Sequence, residues 1–250
     1  MMLFSYQHFK KIDLKTLQAG LLLGIFMFLG YAFQTFALTY TYSSTVGFIT
    51  GLNVVIVPLI SYLFLKQKVS LYAFFGAFVA SIGLYYLSSV AENIGFARGE
   101  FYALVCAFMF ALHIVFTGYF SHRFNIYLLV CIQFFTVALC SLFGGMITQG
   151  TIIPSEVTQL LINALIITVV FATVFAFWVQ TAMQRFTTAT KTAIIFTLEP
   201  VSAGVFGYCF ANEILSKEQL LGAILILGGI LIAELGSRVK SWFSHNNKRN

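Results

Sequence analysis

The chain has 250 residues, 60% of them hydrophobic and 9% charged, with a mean hydropathy of +0.92, whereas soluble domains carry about 25% charged residues. That composition excludes a soluble globular protein and leaves an all-α integral membrane protein. The formal net charge of +6 comes from residues at the ends of apolar runs rather than on a soluble face, which argues against nucleic acid as a partner.

No charged residue occurs between Lys15 and Lys66, a span too long for one crossing of roughly 20 residues, so it holds two helices and a turn. The opening stretch MMLFSYQHFKKIDLK lacks a small-residue cleavage site, so the first helix is expected to stay in the bilayer. Eight transmembrane helices are predicted, at residues 16 to 38, 43 to 65, 70 to 90, 99 to 120, 126 to 148, 159 to 182, 190 to 211 and 217 to 237. Residues 93 to 100 and 149 to 156 read as surface turns, and TYTYSST (39 to 45) and TTATKT (187 to 192) as polar turns. The tail from 238 to 250 reads as a basic cytoplasmic end, with an interfacial helix as the alternative.

A cytoplasmic N-terminus puts twelve of the 14 Lys and Arg residues inside and leaves only Arg98 and Lys217 outside. Both termini are therefore expected in the cytoplasm of a multi-pass inner or plasma membrane protein. Glu92, Glu100, Glu156, Glu213 and Glu218 then face outward. Cys106, Cys131, Cys140 and Cys209 fall inside predicted spans without metal-type spacing and read as packing residues, so no metal or cofactor is expected.

Offsetting the sequence by 146 positions aligns residues 34 to 84 with 180 to 230 without a gap, and twelve of the 51 pairs are identical. They include Gln34 with Gln180, Tyr62 with Tyr208, Ser70 with Ser216, Gly76 with Gly222 and Gly83 with Gly229. The chain thus divides into a partial first repeat at 14 to 90 with three helices and a second repeat at 97 to 237 with five. Five helices per repeat is an odd number, so the second repeat enters the membrane in the opposite sense, and the expectation is a 3 + 5 remnant of an inverted 5 + 5 repeat. On that arithmetic the counterparts of the helices at 99 to 120 and 126 to 148 would precede Met1, through a misplaced start codon or a natural shortening.

The stretch VQTAMQRFTTATKTAIIFTLEPVSAGVFGYCFANEILSKEQLLGAILILGGILIAELG (residues 179 to 236) resembles the closing half of EamA-type transporters of the drug/metabolite transporter superfamily. TGLNVVIVPLISYLFLKQKVSLYAFFGAFVASIGLYYL is similar to the corresponding part of the first repeat, and FALHIVFTGYFSHRF resembles the opening helix of the second. The family pattern has a Gly-Glu pair after the fourth helix of each repeat. Here the second repeat has Asn212 and Glu213, and the first has Lys66 and Gln67. The resemblance implies a carrier that moves a small metabolite or drug-like compound by alternating access through a central cavity. It leaves the substrate unidentified.

Glu199 is the only acidic residue near the middle of a predicted span, where a charge costs at least about 2.5 kcal/mol on insertion scales. Lipid surroundings penalise the charged form, so this carboxyl suits binding and releasing a proton; the other reading is a structural carboxyl that positions a broken helix. Pro200, beside it, and Pro58 lack the N–H that a helix interior needs and are the predicted kink or hinge positions. His113 lies mid-span as a proton relay, substrate ligand or hydrogen-bonded interior group. Gln34, Gln180 and Asn53, the last aligned with Glu199, either line the pathway or join helices; Gln133 and Trp178 complete the candidate pathway set.

GLLLG (20 to 24) and GFITG (47 to 51) have the spacing that lets helices approach closely, for packing or for a homodimer. No nucleotide-binding loop or recognisable catalytic constellation is present, so an enzyme is not expected. The leading function is a secondary transporter (permease) whose partners are the lipid bilayer and an unidentified small-molecule substrate, with proton coupling resting on Glu199. The alternative is a truncated, non-transporting membrane subunit or remnant that assembles with a partner.

Overall fold

The computed structural model describes residues 13–41, 43–67, 69–87, 98–149, 157–199, 201, 202, 205, 209 and 216–246. These form eight helical segments, the second divided into two helices and the sixth into three, and no strand occurs among the described residues. In chain order, α1 is Leu14–Tyr40, α2 Ser43–Gly51, α3 Asn53–Leu65, α4 Leu71–Leu87, α5 Arg98–Ser121 and α6 Ile126–Gln149. Next come α7 at Gln159–Ile167, a π-helix at Thr168–Phe175, α8 at Ala176–Met183, α9 at Ala189–Phe196 and α10 at Lys217–Asn246. Leu14–Tyr40, Thr45–Leu65, Arg98–Ser121, Ile126–Ile147 and Gln159–Met183 are each long and apolar enough to cross a membrane.

Local chemistry sets the ends of these elements. Asn125 Oδ1 accepts from the Tyr127 N–H at 2.9 Å before α6, and the hydroxyls of Thr158 and Thr188 accept from Leu161 N–H and Lys191 N–H ahead of α7 and α9. Ser216 and Gln219 start α10 reciprocally. The Gln219 N–H donates to Ser216 Oγ at 3.2 Å, and the Ser216 N–H to Gln219 Oε1 at 2.8 Å. α3 ends at Lys66, whose φ of 50° is left-handed and whose N–H reaches the Ser61 carbonyl.

Three features depart from the helix boundaries read in the sequence. The segment at 43 to 65 is interrupted at Leu52, where the Leu52 N–H bonds to the Ile49 carbonyl at 3.1 Å and the Val55 N–H to the Leu52 carbonyl at 2.9 Å, a three-residue tightening. The sixth helix carries eight π residues, TVVFATVF, within which the Thr173 hydroxyl donates to the Thr168 carbonyl. The last helix continues through the basic tail to Asn246, since no proline interrupts it.

The chain packs as two compact units, one of Met1–Leu29 with Phe116–Thr187 and the other of Gly30–Val115 with Thr188–Asn250. In the first unit, α1 crosses α6 at the two glycines of GLLLG. A Cβ on Gly20 would lie 2.6 Å from the Ile132 side chain, and one on Gly24 2.8 Å from the Gln133 carbonyl oxygen. Ala19, Leu23 and Leu129 form a core there, flanked by Phe116, Phe120 and Phe124. Phe134 of α6 meets Phe177 of α8 edge-on at 6.0 Å.

In the second unit, Ala37, Val46 and Ala103 form a core with Ile49 and Tyr102. Here α4 packs extensively along α10, and α9 packs on α3 and touches both of them. This unit draws helices from both sequence repeats: α2 to α4 come from the first, and α9 and α10 from the second.

Candidate functional site

The second unit holds most of the polar residues singled out above. Gly30 lets α1 approach α5, because a Cβ there would lie 2.7 Å from the Phe110 ring. The neighbouring Tyr31 stands edge-on to Phe110, with centroids 5.3 Å apart and planes at 83°. Gln34, half-buried, follows Tyr31 by three residues and so shares its face of α1.

On α5, Cys106, Phe110 and His113 recur at four- and three-residue spacings and line one face. Cys106 is buried, with its Sγ 3.9 Å from Thr50 Oγ1, and the Thr50 hydroxyl donates to the Val46 carbonyl at 2.6 Å. That chain of contacts joins α2 to α5. His113 is 2% exposed, so it is an interior histidine of this unit.

The helix break at Leu52 has a counterpart in the second repeat one residue before the aligned position. At Thr197 the N–H reaches the Ile194 carbonyl at 3.1 Å and the hydroxyl donates to the same oxygen at 2.6 Å. Asn53 follows the first break by one residue and Glu199 the second by two, so the aligned polar residues sit just beyond the two interruptions. Asn53 is half-buried and Glu199 is exposed. Pro58 is buried inside α3, which runs as helix on both sides of it. Pro200 lies outside the described residues.

The remaining candidates belong to the first unit. Gln133 is fully buried on α6 at the α1 crossing. Gln180, on α8, buries its amide nitrogen with no hydrogen-bond partner among the described residues. Trp178 stacks on Tyr127, with centroids 6.3 Å apart and planes at 29°, and touches Phe175. Gln34 and Gln180, matched in the repeat, therefore lie in different units.

Several polar contacts escape a reading of the sequence. Glu100, read there only as an outward-facing acid, is 7% exposed and accepts a hydrogen bond of 2.8 Å from Thr41 Oγ1. Arg185, read as an orientation signal, donates from Nε to the Ser121 carbonyl and from Nη2 to the Phe124 carbonyl at 2.7 Å. Long-range pairing of this kind leaves no mark in hydropathy. Among the described residues, no group of three or more His, Cys, Asp and Glu side chains is placed to hold a metal.

Residues 1–89 and 97–235 match the EamA-like transporter family. The chain belongs to that family. An uncharacterized transporter of Archaeoglobus fulgidus is 35% identical over 216 residues, covering 86% of this chain and 68% of the relative. A second, from Clostridium kluyveri, is 26% identical over 205 residues, covering 79% and 65% respectively. The chain thus spans about two thirds of the length of these EamA relatives. A crystal structure with 17% sequence identity superposes with a TM-score of 0.78 over 94% of this chain and 83% of its own, which shows the shared fold. Family membership together with the apolar helices makes this a multi-pass membrane transporter.

Proposed function

We propose that this EamA-family protein is a secondary transporter, without enzymatic activity, that moves a small metabolite or drug-like compound across the cytoplasmic membrane by alternating access. Glu199 is the proton-coupling carboxyl. The observation that carries this reading is the position of Glu199 two residues beyond a helix break that the other repeat reproduces beside Asn53. Interrupted helices expose polar backbone at membrane depth, and transporters built from inverted repeats bind substrates and coupling ions at such interruptions.

Tyr31, Gln34, Asn53 and His113 supply polar and aromatic lining in the second unit, and Gln133, Gln180 and Trp178 in the first. The twelve-to-two distribution of Lys and Arg supports cytoplasmic termini in an inner or plasma membrane.

The test is uptake into proteoliposomes under an imposed pH gradient, screened over metabolite and drug mixtures by mass spectrometry. Glu199→Gln is expected to abolish the pH-driven component while leaving the protein folded. Undiminished pH-driven accumulation in that variant would remove Glu199 from the coupling step.

A further inference from the structure

The C-terminal end of α1 is clamped to the N-terminal end of α5 within the second unit. Thr41 Oγ1 donates to Glu100 Oε1 at 2.8 Å, across 59 residues of sequence. Gly99 leaves just enough room for this: a Cβ on it would lie 2.9 Å from Thr41 Cβ and 3.1 Å from Tyr40 Cβ. Around the bond, the Tyr102 ring gathers Phe33, Phe36 and Tyr40 at 5.9 to 6.0 Å. A carboxyl held at 7% exposure is costly unless hydrogen-bonded, so the Thr41 hydroxyl is part of what keeps the two helix ends together.

This contact differs in kind from the close helix crossing elsewhere in the same unit. Where α4 meets α10, backbone faces backbone and nothing can yield. At Gly99 the nearest atoms are Cβ and Cγ2 of Thr41 and Cβ of Tyr40, and the Thr41 hydroxyl that reaches Glu100 turns about χ1 on fast timescales. Thr41 itself sits in the bend after α1 rather than inside a helix. The closure therefore rests on side-chain hydrogen bonding and ring contact, which can be made and broken without rebuilding a helix.

We propose that Thr41, Gly99 and Glu100 form a latch that closes the extracytoplasmic end of the α1–α5 helix pair, with Thr41 and Glu100 acting as positioning residues in the transport cycle. The inference rests on the transporter reading and its orientation, in which α1 runs outward from the cytoplasm. Tyr31 lies ten residues before Thr41, about 15 Å deeper along α1. Release of the latch opens a route from outside toward Tyr31.

The experiment needs no substrate. A Tyr31→Cys reporter is introduced in a background whose four native cysteines are replaced by alanine, and its labelling by a membrane-impermeant maleimide is timed in right-side-out and inside-out vesicles. Thr41→Val is expected to raise the rate about tenfold in right-side-out vesicles, the scale of one lost hydrogen bond to a carboxyl; Thr41→Ser keeps the slow rate. Adding Thr41→Cys with Gly99→Cys, whose Cβ atoms fall close enough to be bridged after a small relaxation, should protect the reporter thiol when oxidised and expose it again on reduction. That reversible comparison within one protein guards against misfolding of any single variant. Labelling that ignores both lock and release, or that changes only in inside-out vesicles, overturns the latch. Either result leaves the Glu199 test of pH-driven uptake untouched.

Discussion

Gly76 on α4 meets Gly229 on α10 backbone to backbone: a Cβ on Gly76 would lie 2.5 Å from the Gly229 carbonyl oxygen, and one on Gly229 2.6 Å from that of Gly76. One heptad along, a Cβ on Gly83 would lie 2.7 Å from the Gly222 carbonyl oxygen and 2.8 Å from the Ile226 nitrogen. Under the 146-residue repeat, Gly76 corresponds to Gly222, Ala80 to Ile226 and Gly83 to Gly229. Gly229 in turn sees the Gly76 oxygen at 2.6 Å and the Ala80 nitrogen at 2.9 Å, so the contacts of Gly83 have their repeat-related copies at Gly229. Matched helices crossing antiparallel with swapped partners are what a two-fold relation between oppositely inserted repeats produces.

This crossing predicts a position-dependent cost. Gly76→Ala and Gly229→Ala force a methyl against a carbonyl in a close-packed interface, where overpacking costs about 1–3 kcal/mol. Gly228, one residue away, faces open space, with nothing within 4 Å of where a Cβ would sit, so Gly228→Ala should be neutral or raise helix stability by up to about 1 kcal/mol. Thermal unfolding in detergent separates the two, and equal melting temperatures for all three variants would contradict the geometry. By the repeat relation, Gly83→Ala should behave like Gly229→Ala.

The same reasoning distinguishes the two small-residue motifs. Gly24 faces a backbone carbonyl and Gly20 an isoleucine side chain, whereas Gly47 of GFITG has nothing within 4 Å and Gly51 meets the flexible end of Leu84. Gly24→Leu should lower stability by several kcal/mol because the carbonyl cannot move aside, while Gly47→Leu should leave the monomer's melting temperature unchanged. A change in oligomeric state confined to Gly47→Leu, read by light scattering in detergent, would assign that motif to a contact between copies.

Much of this architecture was legible in the sequence because lipid imposes a coarse rule. Runs without charge must be helical, and among the described residues the helices begin within a few residues of where apolar length and polar turns set them, although the last runs nine residues past its expected end. The glycines at 76, 83, 222 and 229 were visible as repeat identities, though not as one crossing. The interruption at Leu52 was not read from the sequence, although Gly51 ends α2 there, because Pro58, the more visible breaker, draws the eye and lies inside continuous helix. The π segment was hidden because TVVFATVF is as apolar as any α-helical run. Glu100 reads as a surface acid, as it opens a helix beside a turn; only the fold brings Thr41 to it.

Arg185, a cation expected on the cytoplasmic side, is predicted to be structural as well as topological. Its guanidinium bridges the Ser121 and Phe124 carbonyls, satisfying acceptors left open where α5 ends and the chain turns into α6. Lysine keeps the charge but presents a point donor instead of a planar fork. Arg185→Ala should destabilise the protein by about 1–2 kcal/mol, reduced from the buried scale because the side chain is half-exposed. Arg185→Lys should recover membrane orientation, read by reporter fusions, but not the melting temperature. Full thermal recovery by lysine would reduce the residue to its charge.

Lys66 gives the last prediction, and it explains a departure from the family pattern. The residue closes α3 with a φ of 50°, the left-handed conformation, and its N–H together with that of Gln67 bonds to the Ser61 carbonyl. A residue with a Cβ is strained by roughly 1–2 kcal/mol there, whereas glycine is not and asparagine tolerates it better than most. The corresponding residue of the second repeat is Asn212, and the resemblance set out above has glycine at this place. Lys66→Gly removes the strain but enlarges the freedom of the unfolded chain, so the net gain should be about 0.5–1 kcal/mol, with Lys66→Asn slightly smaller. Lys66→Ala keeps the Cβ and should gain nothing, which makes it the control for lost charge. Melting temperatures that rank glycine above asparagine above alanine would tie the family's glycine to backbone conformation, and an alanine variant as stable as glycine would tie it to the removal of a cation instead.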